Sequence, residues 1–247
     1  MQSHEYQVMF DAEERHFWFR GSRRVIFSWL DRALAEIATE KRSRIIDVGA
    51  GTGGVLANLC ERGDAWGVEW SAEGAAFIRS RQLPVMRGGL PHLPLASDRF
   101  DAAVSLDVFE HVADDIAAMA DVRRVLRPGG RLIATVPALR WLWSEHDEAL
   151  HHHRRYHLAE FRCRLEAAGF RIRRLSYYNS LLLPPIAAVR LLGKLRSRPE
   201  SSQASSDVSL PPAPLNSALA ALFGAEAHLL AHMRLPIGAS LIVDAEA

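Results

Sequence analysis

Residues 44–60 read RIIDVGAGTGGVLANLC, an apolar run that leads directly into four closely spaced glycines and then into a helical pattern. Glycine permits backbone angles that other residues avoid, and its missing Cβ atom lets a ligand approach the backbone closely. The N-terminus of the following helix adds N–H groups that have no partner within the helix. The stretch therefore predicts a strand, a ligand-binding loop at Gly49, Gly51, Gly53 and Gly54, and a helix.

An acidic residue stands at the end of the next predicted strand. Glu69 lies eighteen residues after Gly51. A carboxylate at this position can accept hydrogen bonds from both hydroxyls of a ribose, at the point where a doubly wound sheet binds its ligand. The glycine loop and Glu69 together predict a nucleoside site.

The glycines alone leave the kind of nucleoside open, because Gly49, Gly51 and Gly54 also satisfy the dinucleotide fingerprint GxGxxG. Asp47 argues against a dinucleotide, since a pyrophosphate gains nothing from a carboxylate beside its loop, whereas a cationic ligand does. An NAD(P)-dependent oxidoreductase that uses the same glycines and Glu69 stays as an alternative. It predicts binding of NADH.

Short apolar runs alternate with helical patterns from residue 43 onward, which is typical of an α/β fold with a doubly wound, mostly parallel sheet. The predicted strands are 44–48, 65–69, 84–87, 100–106 and 130–136, with 170–178 and 239–245 as an antiparallel pair. The predicted helices are 54–62, 71–81, 113–126 and 158–168. The third helix is expected to stop at residues 127–130, RPGG, because proline cannot continue a helix and glycine takes positive φ.

Three parts of the chain are predicted from this pattern. Residues 1–40 form a helical extension, in which residues 16–20 are either a lid over the ligand, with Arg20, Arg23 or Arg24 near its carboxylate, or a buried helix face. Residues 41–180 and 237–247 form the core. Residues 181–236 form a helical insertion with a mobile linker at 199–214 and a helix capped by Asn216.

The first part of the insertion, residues 181–198, is apolar, basic at one end and broken by prolines. It either caps the pocket or contacts a membrane surface. The cap is favoured by an apolar stripe further along the chain that could pack against it. The stripe consists of Leu219, Leu222, Phe223, Leu229, Leu230 and Met233.

The composition excludes several classes of protein. The chain has 247 residues, 49% of them hydrophobic, and a formal net charge of +1, which gives no basic surface for nucleic acid. Its two cysteines have no metal-ligand spacing, and no apolar run reaches the roughly 18 residues of a membrane span. The charged N-terminus does not fit a signal peptide, so a cytoplasmic protein is expected. The oligomeric state is left open.

Two later runs strengthen the nucleoside interpretation: FDAAVSLDVFEHV at 100–112 and VLRPGGRLIATVP at 125–137. With the glycine loop they resemble, in this order, the motifs of class I S-adenosylmethionine-dependent methyltransferases over about residues 43–136. The flanks ERHFWFRGSRRVI at 14–26 and HDEALHHHRRYHLAEF at 146–161 resemble a bacterial methyltransferase group of undefined substrate. The resemblance implies a seven-stranded sheet whose last strand is antiparallel.

The resemblance also implies which residues bind S-adenosyl-L-methionine. Gly49, Ala50, Gly51 and Gly53 would cradle the methionine part, and Asp47 would face its ammonium group. Glu69 would hold the ribose, and Trp70 would cover one face of the adenine. Further binding residues would be Gly89, Leu90, Leu106 and Asp107.

Two pairs of these residues follow the third and the fourth predicted strands. After the third strand the sequence has Gly89 and Leu90 where the family often has an acidic residue, so adenine recognition there is expected to use backbone or packing. Leu106 and Asp107 would line the path from the sulfonium to the methyl acceptor.

Methyl transfer is an in-line displacement that needs a general base only if the acceptor must lose a proton. His111 is a candidate base, or a residue that only packs its helix. Three further catalytic candidates are His146, His152 and Tyr156, in a tract that forms either a loop over the site, with an arginine clamp for an anionic acceptor, or a solvated connection. No metal site is expected, because in a helix only His153 and His157 of this tract would share a face.

The expected activity is methyl transfer from S-adenosyl-L-methionine to a small or lipid-linked acceptor, at oxygen. A second alternative is a binding module that keeps the nucleoside fold without turnover. It predicts affinity for the cofactor and no acceptor.

Overall fold

The computed structural model describes residues 3–37, 41–195 and 210–247. The strands are β1 (Arg44–Val48), β2 (Asp64–Glu69), β3 (Val85–Arg87), β4 (Phe100–Leu106), β5 (Leu126–Pro137), β6 (Arg171–Tyr178) and β7 (Ser240–Glu246). The helices are α1 (Ser3–Ala12), α2 (Phe17–Glu36), α3 (Gly54–Arg62), α4 (Ala72–Ser80), α5 (Asp115–Val125), α6 (Glu145–Ala149), α7 (Leu158–Ala167), α8 (Leu183–Leu195) and α9 (Ala213–His232).

The seven strands form one sheet in the order β3-β2-β1-β4-β5-β7-β6. The first five run parallel, and β7 pairs antiparallel with both β5 and β6. The predicted α/β class, the doubly wound sheet and its antiparallel last strand are therefore confirmed. From β1 the sheet continues to β2 and β3 on one side and to β4 and β5 on the other. The loops that follow β1 and β4 therefore flank one crevice at the carboxyl edge of the sheet.

Helices cover both faces of the sheet. On one face, Ile46 and Leu132 of the strands pack with side chains of α5 and α7, including Met119 and Phe161. On the other face, Ile45 and Ile133 pack with side chains of α2, α3 and α9. Side chains of a strand alternate between its two faces, so both faces of these central strands are buried, as the continuous apolar runs predict.

Local signals in the sequence account for the boundaries of two helices. Ser71 caps α4, its hydroxyl accepting hydrogen bonds from the backbone N–H groups of Glu73 and Gly74 at 3.1 and 3.3 Å. Helix α5 ends at Val125, just before the RPGG sequence. The strand, however, begins at Leu126 and not at residue 130, because Leu126 already pairs with Phe100 and the register then shifts so that Arg131 pairs with Ala102.

The insertion differs from its prediction in three ways. Pro184 and Pro185 lie in the first turn of α8, where proline does not break a helix. Helix α9 begins at Ala213, so Asn216 is not its cap. The Asn216 side chain instead accepts a hydrogen bond from the backbone of Phe17 at 2.8 Å and donates one to the Arg15 carbonyl at 2.8 Å. This links α9 to the start of α2.

The predicted apolar stripe of α9 is divided between core and solvent. Phe223 and Leu230 are buried with α2 side chains, so this part of α9 completes a layer of the fold. Leu222, Leu229 and Met233 are exposed, so they do not form a surface that α8 covers. Residues 199–209 of the predicted linker 199–214 lie outside the part of the chain that the structure describes. Among the described helices, none combines the length and hydrophobicity that a membrane span needs.

Candidate functional site

The glycine loop between β1 and α3 adopts the conformation that its sequence predicts. Gly49, Gly51 and Gly53 have φ values of 78°, 56° and 88°, in the left-handed region that favours glycine. The backbone N–H groups of Gly49 and Ala50 both donate to the carbonyl of Val68, at 2.9 and 3.1 Å, which ties the loop to the end of β2. The loop is thus fixed beside Glu69, the last residue of β2.

Asp47 is a buried carboxylate directly before this loop. The residue is 2% exposed, and its Oδ2 has no hydrogen-bond partner among the described residues. Burial, with the negative charges of Glu69 and Glu13 nearby, raises the pKa of Asp47 to about 8. A carboxylate in such surroundings is stabilised by a cation, which fits the ammonium and sulfonium groups of S-adenosyl-L-methionine.

Glu69 is held at the same edge by three hydrogen bonds. Its carboxylate accepts from the backbone N–H groups of Gly51 and Ser71, each at 2.8 Å, and from the hydroxyl of Tyr6 at 3.3 Å. Burial and the nearby Glu69 charge raise the pKa of Tyr6 to about 12, so the phenol stays protonated and remains a donor. Tyr6 was not among the predicted site residues, because the sequence separates it from Glu69 by 63 positions.

Helix α1 extends along the glycine loop. The methyl group of Met9 would lie 3.0 Å from a Cβ atom added to Gly51. Glu13, which follows α1, is 3% exposed, accepts a hydrogen bond from the Gly54 N–H at 3.1 Å and forms an ion pair with Arg81. The carboxylate of Glu13 thereby accepts from one of the N–H groups at the start of α3 that have no partner within the helix.

The N-terminal aromatic and arginine residues lie elsewhere. Phe17 and Trp18 pack with the buried cluster that α2 shares with α9. Arg20, Arg23 and Arg24 line a surface groove between α2 and α3, and Arg23 pairs with Glu14 at 3.1 Å. Residues 16–20 therefore form the packed helix, which was one of the two predicted alternatives. Helix α1 lies where the lid was expected.

Trp70 and Gly89 meet beyond the ends of β2 and β3. Trp70 is 75% exposed, and a Cβ atom added to Gly89 would lie 3.0 Å from its ring. Leu90 packs against the main core cluster. An exposed indole beside a bare backbone offers a flat apolar surface, so the assignment of adenine to Trp70, Gly89 and Leu90 stays a prediction with suitable surroundings.

The end of β4 approaches the glycine loop. A Cβ atom added to Gly49 would lie 2.5 Å from the side chain of Val108, two residues after Leu106. Between these residues Asp107 has a φ of 53°, and its carboxylate accepts a hydrogen bond from the hydroxyl of Thr135 at 3.1 Å. A short 3₁₀ turn, Phe109–His111, follows directly.

The histidine-rich tract is fixed over this turn. Only Glu145–Ala149 is helical, and His151 has a φ of 56°. The backbone N–H of His153 donates to the carbonyl of Glu110 at 2.8 Å. Arg154 pairs with Asp115 at 2.8 Å and Arg155 with Asp147 at 2.8 Å, so these two arginines are engaged within the protein and do not form the predicted anion clamp.

Because the tract is not helical here, His152 lies close to His111 and Glu110. The two histidines were predicted site residues, and Glu110 was not. His152 lies beside His111, with ring centroids 4.6 Å apart, and its Nε2 lies 4.0 Å from Oε1 of Glu110. Glu110, His111 and His152 present ligand atoms within 4.8 Å of one another. The expectation of no metal site rested on helical geometry for this tract, and that geometry is wrong. The adjacent pair Glu110-His111 was the signal in the sequence.

The other two predicted catalytic residues are Tyr156 and His146. Tyr156 is 0% exposed, and its hydroxyl donates to Asp115 at 2.7 Å. A group enclosed in this way does not reach a substrate, so the catalytic assignment of Tyr156 is corrected to a structural one. The side chain of His146 lies outside the part of the chain that the structure describes.

Comparisons with known proteins bear on the family. The family described as "Methyltransferase domain" matches residues 46–134, which include the glycine loop, Glu69 and the Glu110-His111 pair. Residues 46–134 therefore match a methyltransferase domain, and they carry the motifs that resemble the class I S-adenosylmethionine-dependent methyltransferases. The match to a methyltransferase domain favours S-adenosyl-L-methionine over NADH as the ligand of the glycine loop.

Two curated relatives match the core of this chain. A demethylmenaquinone methyltransferase of Mycobacterium sp. (strain KMS) is 30% identical over 135 residues, which cover 53% of this chain and 58% of that protein. A ubiquinone/menaquinone biosynthesis C-methyltransferase of Paracoccus denitrificans (strain Pd 1222) is 28% identical over 136 residues, covering 48% of this chain and 54% of that protein. The chain thus spans little more than half the length of these relatives.

Solved structures share the fold. A methyltransferase in complex with the Trm112 activator of Haloferax volcanii is 19% identical with a TM-score of 0.59, covering 99% of this chain and 93% of that chain. An S-adenosylmethionine-dependent methyltransferase of Thermotoga maritima is 19% identical with a TM-score of 0.57, covering 98% of this chain and 99% of that chain. At these identities the likeness establishes the fold alone.

Proposed function

We propose that this methyltransferase transfers the methyl group of S-adenosyl-L-methionine to an oxygen atom of a small or lipid-linked acceptor. The observation that carries the proposal is Asp47, a buried carboxylate whose Oδ2 has no partner and which stands directly before the glycine loop. A cationic ligand at that loop is the simplest compensation for its charge. A dinucleotide would instead bring further negative charge to it.

The chain's own residues divide the work of binding. Asp47 would face the ammonium group, the loop from Gly49 to Gly51 would hold the methionine part, and Glu69 would accept from the ribose hydroxyls. Trp70 would cover the adenine. When bound, the cofactor supplies a methyl group on a positively charged sulfur, and the protein aligns that group with the acceptor and excludes water.

The acceptor end of the crevice supports an oxygen acceptor. His111 and His152 meet beyond β4, and each imidazole can take a proton from, or polarise, a hydroxyl group. A ring carbon beside a phenolic oxygen is the second candidate, because one relative is named a C-methyltransferase of ubiquinone and menaquinone biosynthesis. Both candidates require a polarised oxygen at this end of the site.

Exposed apolar side chains near the insertion support a lipid-linked acceptor and contact with a membrane surface. Val189 of α8 is 69% exposed and Met233, just after α9, is 53% exposed, with Leu222 and Leu229 also exposed. Such side chains can enter the headgroup region of a bilayer without a membrane-spanning helix. The predicted contact segment 181–198 is described as far as residue 195. A cytoplasmic location stays a prediction.

The test is a transfer assay with methyl-labelled S-adenosyl-L-methionine and a panel of phenols, catechols and prenylated hydroquinones, the last in detergent micelles and in vesicles. The proposal expects labelled product from at least one acceptor and a methyl ether in its NMR spectrum. A C-methyl signal would replace oxygen by carbon as the target atom. Cofactor binding with no transfer across the panel would favour the binding module.

A further inference from the structure

Folding buries the carboxyl group of Glu110 completely and leaves both of its oxygens without a hydrogen bond within the part of the chain that the structure describes. Its side chain is 0% exposed, and neither carboxylate oxygen has a hydrogen-bond partner among the described residues. Buried carboxyl groups in proteins are ordinarily hydrogen-bonded, paired or bound to a metal, so this group requires an explanation.

The ring of His152 is oriented toward Glu110 by a second carboxylate. Nδ1 of His152 lies 3.0 Å from Oδ1 of Asp147, and Asp147 is also held by Arg155 at 2.8 Å and by Arg190 at 3.3 Å. Asp147, which these two arginines also hold, accepts a hydrogen bond from Nδ1. Nε2 is left to face Glu110. A carboxylate that fixes the far nitrogen of a histidine is the usual support of a metal-ligating imidazole.

His111 supplies the second imidazole. Its ring lies at 81° to that of His152, with the centroids 4.6 Å apart, and close to the backbone carbonyl of Leu150. Small side-chain rotations would bring the two imidazoles and the carboxylate, now within 4.8 Å of one another, around one ion.

We propose that Glu110, His111 and His152 bind a divalent transition metal ion such as Zn²⁺, Mn²⁺ or Fe²⁺. Two imidazoles and one carboxylate suit these ions better than Mg²⁺ or Ca²⁺, which prefer oxygen ligands. Three protein ligands leave coordination positions open for a substrate oxygen. The ion thereby gives the buried Glu110 charge its missing partner.

The place of the site in the fold suggests what the ion does, and this step rests on the proposed function. Glu110 and His111 follow β4 directly, and β4 pairs with β1, which leads into the glycine loop. A hydroxyl bound to the ion would lose its proton to solvent at a lower pH than a free hydroxyl. The oxygen lone pair would then form the bond to the methyl carbon while the carbon–sulfur bond breaks, leaving the thioether S-adenosylhomocysteine.

Metal binding is tested directly on the full chain, purified without a histidine tag and treated with a chelator. Equilibrium dialysis with Zn²⁺ and absorption spectroscopy with Co²⁺ measure stoichiometry, affinity and ligand field. The variants are Glu110→Gln and His152→Gln, with His157→Gln as the control, because His157 is an exposed histidine of the same tract. Circular dichroism and binding of S-adenosylhomocysteine, measured on every sample, report whether each variant is folded.

The proposal expects one ion per chain, at least a tenfold loss of affinity in Glu110→Gln and in His152→Gln, and wild-type affinity in His157→Gln. Absence of stoichiometric binding to the wild-type chain would overturn it, as would equal affinity in all four proteins. If S-adenosylhomocysteine binds in those cases, the metal site fails while the proposed cofactor stands. If the chain binds the metal but does not bind S-adenosylhomocysteine, the metal site is supported and its role in methyl transfer is refuted.

Discussion

The hydroxyl group of Tyr6 donates a hydrogen bond of 3.3 Å to Oε1 of Glu69. This contact places α1 on the carboxylate that is expected to hold the ribose. Because Glu69 also accepts from the N–H groups of Gly51 and Ser71, ribose hydroxyls would compete with Tyr6 for the same acceptor. We therefore expect the first helix to shift when the cofactor enters.

Tyr6→Phe tests this competition. The substitution removes one donor to Glu69 while keeping the ring of Tyr6 in place. Since a hydrogen bond contributes about 0.5–1.5 kcal/mol, the dissociation constant of S-adenosylhomocysteine should fall by roughly 2- to 10-fold. The measurement is calorimetric titration of both proteins. A rise in the dissociation constant would mean that Tyr6 closes over the bound cofactor.

Glu69→Gln tests the ribose contact itself. Glutamine keeps one oxygen acceptor for the backbone of the loop but loses the charge and the second acceptor. Hydrogen bonds to charged groups contribute about 1.5–3 kcal/mol, so affinity for S-adenosylhomocysteine should fall about tenfold or more. Glu61→Gln, an exposed position on α3, is the matched control and should bind like the wild type. Unchanged binding in Glu69→Gln would refute the assignment.

Asp47→Asn should change how stability depends on pH. The pKa of Asp47 is raised from 3.8 to about 8 in the folded protein. Between these pH values the folded state binds a proton that the unfolded state has lost, so the free energy of unfolding of the cofactor-free wild type falls as pH rises toward about 8 and then levels. The variant lacks this loss.

Thermal unfolding between pH 5 and 9 measures the effect. The melting temperature of Asp47→Asn, relative to the wild type, should rise with pH up to about 8, by several degrees, since 1 kcal/mol corresponds to about 2–4 °C in a chain of this size. Glu73→Gln, exposed on α4, serves as a control for a surface carboxylate. Parallel curves for the wild type and Asp47→Asn would show that Asp47 is not the titrating group.

Tyr156→Phe should lower stability and leave catalysis intact. The substitution removes a hydroxyl that donates to the buried Asp115 at 2.7 Å. The loss of a hydrogen bond to a charged group should cost about 1.5–3 kcal/mol in the free energy of unfolding, measured with urea. Binding of S-adenosylhomocysteine and the transfer rate should match the wild type. A large loss of rate with unchanged stability would restore the catalytic assignment.

The fold and the cofactor loop could be predicted because their signals are local. The apolar run of β1 and the glycines act within a few residues, and the structure places them as predicted. The start of α9 could not be predicted in the same way. Asn216 looks like a cap, but its hydrogen bonds reach Arg15 and Phe17 about 200 positions away.

The site was predictable only where one segment defines it. Asp47 and Glu69 follow from the strand ends, whereas Tyr6 reaches Glu69 through the placement of α1. The partnership of Glu110 with His152 depends on a turn at His151, where a non-glycine residue takes positive φ. Helical geometry, the natural assumption for such a tract, directs the histidines elsewhere.

The most direct test of the central claim is a calorimetric titration of the purified protein with S-adenosylhomocysteine and, separately, with NADH. The product of methyl transfer requires no knowledge of the acceptor, and it carries the ammonium group that Asp47 is expected to face. The account predicts saturable binding of S-adenosylhomocysteine with one site per chain and no binding of NADH. Binding of NADH alone would contradict it and return the glycine loop to a dinucleotide.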